Sequence, residues 1–161
     1  MRRTRARVAA GGRVASKVID PAASAGATES LAAVVHPYCV ACSSANARSL
    51  GLRYVRTGPQ AVEATFDCGR DLEGYPCVVH GGIVALIVDS AMTNCLFACG
   101  HIAMTAELTI RYHAPIRTGY TAIVRAMIKE STTRLHIVEG TITQEDESKV
   151  TATGKFLTGG Q

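Results

Sequence analysis

The chain has 161 residues, 47% of them hydrophobic and 19% charged, which fits one globular domain able to bury its own core. Its formal charge of +4 is unevenly placed: residues 1–30 hold six basic and two acidic residues, whereas residues 31–161 hold eleven of each. The domain proper is therefore neutral and lacks the basic surface that nucleic-acid binding needs, and the apolar run Ile83–Val88 is too short to span a bilayer. A soluble, cytoplasmic protein is the expectation.

In chain order, residues 1–30 read as a flexible basic tail of Ala, Gly, Ser and Arg, faintly like a transit peptide. Residues 31–35 predict a short helical turn stopped by Pro37, and the stretch YCVACSSANARSLGL predicts a loop or broken helix. Strands are expected over 51–56 and 61–68, joined by the turn TGPQ, then a loop over 69–77. A long helix is expected over 81–98, closed by Gly100. Four strands should follow, over 103–113, 120–130, 135–144 and 149–157. In the first of these, alternation sets Met104, Ala106, Leu108, Ile110 and Tyr112 against Thr105, Glu107, Thr109, Arg111 and His113. Short connections demand antiparallel neighbours, and a helix apolar on nearly every face must be wrapped. The expected fold is α+β, a long central helix wrapped by a curved antiparallel sheet of five to six strands, within a domain of residues 31–161.

Six cysteines, with no secretory signal and enough chain for a core, read as reduced thiols. Cys39 and Cys42 form a single C-x-x-C. Two ligands fall short of a structural zinc site, which His36 with Cys68 or Cys77 would have to complete, and a thioredoxin-like redox pair would need a strand-to-helix context, so packing is the expected role ahead of metal and redox, and no metal is expected.

Two features of the stretch VHGGIVALIVDSAMTNCLFACG carry chemistry. Asp89 is the lone charge of an apolar helix, and a buried, unpaired carboxylate costs roughly several kcal/mol. It is either bonded across an interface or faces a cavity where it does chemistry. His80, Gly81 and Gly82 precede the helix. A helix start offers free N–H groups at the positive end of the dipole, and glycines leave those amides open to a ligand oxygen. That outlines a carbonyl or oxyanion site.

The stretch HGGIVALIVDSAM resembles the helix motif of hotdog-fold acyl-CoA thioesterases of the phenylacetate-pathway and thioesterase-superfamily type. AELTIRYHAPIRTG is similar to the strand that follows in that family, and YCVACSSANARSLGLRY to its N-terminal opening. The resemblance covers residues 38–158 and implies hydrolysis of an acyl-CoA thioester. The Gly81 amide would bind the carbonyl, Gly82 would shape the turn and His80 would orient it. Asp89, from a partner subunit, would act as general base or nucleophile, and Thr105 would stand where the family has a water-positioning Ser. The resemblance implies a homodimer or homotetramer whose partner molecule is the acyl-CoA substrate, with no separate cofactor. Some members of the family have an Asn or Gln six residues before the motif His; that position is Gly74 here, so either Glu73 or Tyr75 substitutes or the site lacks that contact. Met92, with Asn94 and Phe97, would line the acyl pocket. A non-catalytic acyl-CoA-binding module is the competing reading.

Overall fold

The computed structural model describes residues 28–159. A first helix, α1, covers Thr28–Val35. It starts three residues ahead of the expected boundary at residue 31, and the remainder of the expected tail lies outside the described residues. The strands are β1 Val55–Gly58, β2 Ala61–Asp67, β3 Glu73–Tyr75, β4 Val78–Val79, β5 Met104–Tyr112, β6 Thr121–Ser131, β7 Leu135–Gln144 and β8 Glu147–Leu157. The long helix α2 runs from Gly81 to Ala98, as its apolar pattern and the glycines at both ends dictate. Two expectations are corrected. The first strand forms at Val55–Gly58 rather than 51–56, and the expected 69–77 loop holds a 3-10 turn, Arg70–Leu72, and the small β3–β4 hairpin.

Six strands form one antiparallel sheet in the order β1-β2-β6-β7-β8-β5. Alternation directs Val62, Ala64 and Phe66 of β2, Ala122, Val124, Ala126 and Ile128 of β6, and Val138 and Ile142 of β7 into the core. Against them packs α2 through Val84, Ile87, Val88, Ala91, Met92, Cys95 and Leu96, all buried. By length and hydropathy α2 is able to cross a membrane, but 67% of it is buried inside this fold and its apolar surface goes to the sheet. The approach is close because two inward positions lack side chains. A methyl group at Gly140 would meet Met92 Cε at 2.9 Å, and one at Gly154 would meet Met92 Sδ at 2.8 Å. Met92 fills the space that these glycines leave, so it is a core residue, fully buried, and not a wall of an open pocket as expected.

Strand β5 lies at the sheet edge, and there the simple alternation fails. Thr105 pairs with Phe156 and Glu107 with Lys155, so Ala106 is an extra residue in a β-bulge. Beyond it Leu108, Ile110 and Tyr112 oppose Gly154, Ala152 and Val150. Directly opposed residues share a face, and these β8 partners all point inward. The bulge therefore moves Thr105 onto the same face as Leu108, Ile110 and Tyr112, where strict alternation had put it on the opposite one. Both ends of one strand face thereby meet α2.

Candidate active site

The first half of the site is the start of α2. His80 is the N-cap, with extended backbone at φ −60° and ψ 131°. Its carbonyl accepts the N–H groups of Ile83 at 2.9 Å and Val84 at 3.1 Å, and its imidazole Nδ1 accepts the Gly82 N–H at 2.9 Å. Nδ1 is thus unprotonated, and the ring performs the capping more often done by Ser, Thr, Asp or Asn. Of the four orphan N–H groups of this helix end, His80 satisfies those of Gly82 and Ile83, and its own N–H donates to the Leu72 carbonyl at 2.8 Å. The Gly81 N–H has no partner among the described residues. It is exposed at the positive end of the helix dipole.

Two glycines make room for the cap. A methyl group at Gly82 would come within 3.1 Å of His80 Nδ1 and Cε1, and one at Gly74 within 2.9 Å of Cδ2 and 3.1 Å of Cα. The imidazole therefore lies between two positions that tolerate no side chain without displacing it. This accounts for Gly74, where some members of the resembled family carry a polar side chain. Of the two proposed substitutes, Glu73 is committed elsewhere. Its Oε1 accepts the Thr118 hydroxyl at 2.9 Å and pairs with Arg70 at 3.6 Å. Tyr75 is 81% exposed and, with Gly74, His80, Gly81, Val84 and Tyr112, borders a cavity of about 550 Å³ at the helix start.

Tyr112 was missed as a site residue. Its hydroxyl donates to the Gly81 carbonyl at 2.9 Å and so fixes the tilt of the peptide plane next to the free amide. The signal in the sequence was a phenol closing the inward-facing series of β5. The loop opposite, with Pro115 and Ile116 on the cavity wall, is held by buried Gln144. Gln144 Oε1 accepts the Arg117 N–H at 2.8 Å, and its Nε2 donates to the Arg117 carbonyl at 3.0 Å.

The second half is Asp89. It is half-buried in this chain rather than sealed in the core, and it is not without a partner. The Thr105 hydroxyl donates to Asp89 Oδ1 at 2.7 Å, a charge-assisted bond made by the residue that the bulge turned inward. No cation pairs with the carboxylate among the described residues. A carboxylate held by a single hydroxyl, with its other oxygen free of partners among the described residues, is equipped to take a proton from a water molecule. Eight residues separate Gly81 from Asp89, which is about 12 Å along a helix rising ~1.5 Å per residue. Within one chain, the free amide and the carboxylate cannot contact the same carbonyl group.

A helix wrapped by a six-stranded antiparallel sheet, with a free amide at an HGG helix start and an acid two turns further on, is the hotdog fold, and the chain is similar to proteins of the thioesterase superfamily. Residues 78–151 match the family model described as the Thioesterase superfamily. The chain is 33% identical over 113 residues to the acyl-coenzyme A thioesterase THEM4 of Rattus norvegicus, a match covering 67% of this chain and 49% of that protein. It thus spans about half the length of that relative. Among solved structures, the thioesterase superfamily protein RHA08564 superimposes with a TM-score of 0.70 at 24% identity, over 74% of this chain and 62% of that one. The smu.793 protein of Streptococcus mutans UA159, bound to acetyl CoA, superimposes with a TM-score of 0.64 at 19% identity, over 68% and 90%.

Proposed function

We propose that the chain hydrolyses an acyl-CoA thioester, at a site built from the Gly81 amide of one copy and Asp89 of another. The observation that carries this reading is the spacing of the two half-sites on one helix. Two α2 helices packed antiparallel about a two-fold axis near Ala85 would set each Gly81 opposite the other copy's Asp89. Ile83, Ala85 and Leu86 are half-buried in the single chain, so this stretch of an otherwise core helix has apolar surface left to cover. The acyl-coenzyme A thioesterase relative and the acetyl CoA-bound neighbour support the choice of substrate class.

In this reaction the thioester carbonyl oxygen accepts the Gly81 N–H, next to the peptide plane whose tilt Tyr112 fixes. Asp89, held by Thr105, takes a proton from water, and the resulting hydroxide adds to the carbonyl carbon. The oxyanion that forms faces the helix start, where donor and dipole stabilise it more than the neutral carbonyl. Collapse of the tetrahedral intermediate breaks the C–S bond, and Asp89 returns the proton to the departing CoA thiolate. Free acid and CoA result, and no external cofactor enters the balance.

The test is Asp89→Asn on a panel of aromatic, short-chain and long-chain acyl-CoAs. Asn keeps an oxygen for the Thr105 hydroxyl, so the fold should persist while kcat falls by about 10²–10⁴, the usual worth of a general base. Unchanged turnover in the variant would overturn the role of Asp89. A wild-type protein that binds CoA esters without hydrolysing any would establish the binding-module reading instead.

A further inference from the structure

We propose that Cys39 and Cys42 form a reversible disulfide, which makes the loop packed beside α2 a thiol-modification site. The turn Cys-Val-Ala-Cys is closed by the Ser43 N–H donating to the Cys39 carbonyl at 3.1 Å, a helical turn that makes i and i+3 neighbours. Both thiols are half-buried rather than sealed, and the Cys42 thiol lies close enough to feel the charge of Cys39.

What distinguishes this pair is the direction of its hydrogen bonds. Cys95 and Cys99 also lie one turn apart, but their thiols donate to backbone carbonyls, Cys95 to Gln60 at 3.1 Å and Cys99 to Pro59 at 3.5 Å. They behave as structural S–H groups. Cys39 and Cys42 instead accept. The Ala41 N–H donates to Cys39 Sγ at 3.4 Å and the Asn94 amide to Cys42 Sγ at 3.7 Å. A third donor waits nearby. Tyr54, only 8% exposed, carries the one buried side-chain polar atom without a partner among the described residues, its hydroxyl, and it feels the charges of Cys42 and Cys39. The Asn94 donor opposes the burial that raises the Cys42 thiol, and an unpartnered buried hydroxyl gains an acceptor when a thiolate forms beside it. Cys42 is reachable from a cavity of about 430 Å³ that it lines together with His36, Ser43, Tyr54 and Asn94, and Cys39 is half-buried rather than sealed.

The chemistry needs a low-molecular-weight disulfide as oxidant. Burial, then the neighbouring Cys39 charge, pushes the Cys42 thiol up to about 11, and the first attack is written for Cys39, whose sulfur accepts the Ala41 N–H. Cys39 thiolate attacks one sulfur of the small disulfide, expels a thiolate and forms a mixed disulfide. Cys42 then attacks Cys39 sulfur, expels the second thiolate and gives up its proton. The balance is one dithiol and one small disulfide converted into one protein disulfide and two small thiols. Closure would pull Cys42 Sγ off Asn94, whose amide also donates to the carbonyl of Ser90, the residue after Asp89.

The experiment uses the full chain carrying Cys77→Ser, which removes the one exposed cysteine. It is incubated with oxidised glutathione and weighed intact by mass spectrometry. The expected result is loss of two hydrogens, mapped by peptide digestion to Cys39–Cys42 and reversed by dithiothreitol. With Cys42→Ser added, a stable glutathione adduct on Cys39 is expected, because the resolving thiol is gone. No mass change, an adduct that persists when both cysteines are present, or a disulfide mapped to Cys95–Cys99 would overturn the proposal. None of these readouts depends on thioester hydrolysis.

Discussion

Gly74→Ala tests whether the imidazole cap organises the helix start. The backbone at Gly74 is not in the left-handed region, so an added methyl group brings no backbone strain, only contact. That contact is severe: His80 Cδ2 lies 2.9 Å away, and His80 Cα and Cβ lie 3.1 Å away. The ring could swing out, but the backbone carbon could not without shifting the β3–β4 hairpin. Overpacking of this kind costs about 1–3 kcal/mol, and loss of a side-chain cap adds about 1 kcal/mol. The sum corresponds to a Tm lower by roughly 5–15 °C for a domain of this size. Displacing the ring also frees the Gly82 N–H and tilts the Gly81 peptide, so kcat should fall together with Tm. The control is Gly58→Ala, where the new methyl group would meet Ala61 Cβ at an ordinary 3.7 Å and should leave both unchanged. Thermal unfolding followed by circular dichroism, with thiol release as the activity assay, separates the two variants. A Gly74→Ala protein with wild-type Tm and wild-type kcat would refute the steric account of the cap.

Other substitutions probe the rest of the site and fold. Tyr112→Phe removes one neutral donor to the Gly81 carbonyl, worth about 0.5–1.5 kcal/mol, and should lower kcat by roughly 2- to 12-fold with Tm nearly unchanged. His136 is 1% exposed, bonded to Ser131 at 2.8 Å and Thr158 at 3.2 Å and stacked near His101. Burial first, and then the charge of His101, lowers its pKa from 6.5. The unfolded chain therefore binds the proton first as the pH falls, so this contribution to stability is full above pH 6.5 and is lost below it. Urea midpoints measured across this range should fall more steeply for wild type than for His136→Gln. In the β7–β8 hairpin, Glu145 and Asp146 both hold positive φ, 53° and 61°, the backbone of a type I′ turn. Replacing them with Asn-Gly should raise stability by about 1 kcal/mol, read as a Tm a few degrees higher with unchanged kcat.

The helix and the sheet were legible because each rests on a strong local pattern. The apolar run of α2 is bounded by HGG and Gly100, and the alternation in β6 is unbroken where it faces the core. Short elements and exceptions were not legible. The β3–β4 hairpin has four paired residues among Gly and Pro, and nothing in Ala106 announces a bulge. Yet the bulge decides which side Thr105 takes, and so whether Asp89 has a partner. His80, Gly81 and Asp89 were recognisable as a motif, but Tyr112 and Gly74 depend on how a strand and a loop return to the helix start. A spacing of six residues between Gly74 and His80 says nothing about an imidazole packed on a Cα. The glycine there looked like a lost contact, whereas it is the condition for the cap.

The lone carboxylate of α2 can be placed energetically in the same terms. In one chain Asp89 keeps part of its hydration, so its charge costs the fold little. On the proposed antiparallel pairing, the second helix would remove that water and make the charge expensive, by roughly several kcal/mol. Apolar cover over Ile83, Ala85 and Leu86 contributes in the opposite direction, at about 25 cal/mol for each Å² removed from water. The Thr105 hydroxyl bond and the facing positive end of the partner's helix offset the rest. The pairing that completes the site geometrically is thus the same one that removes water from it.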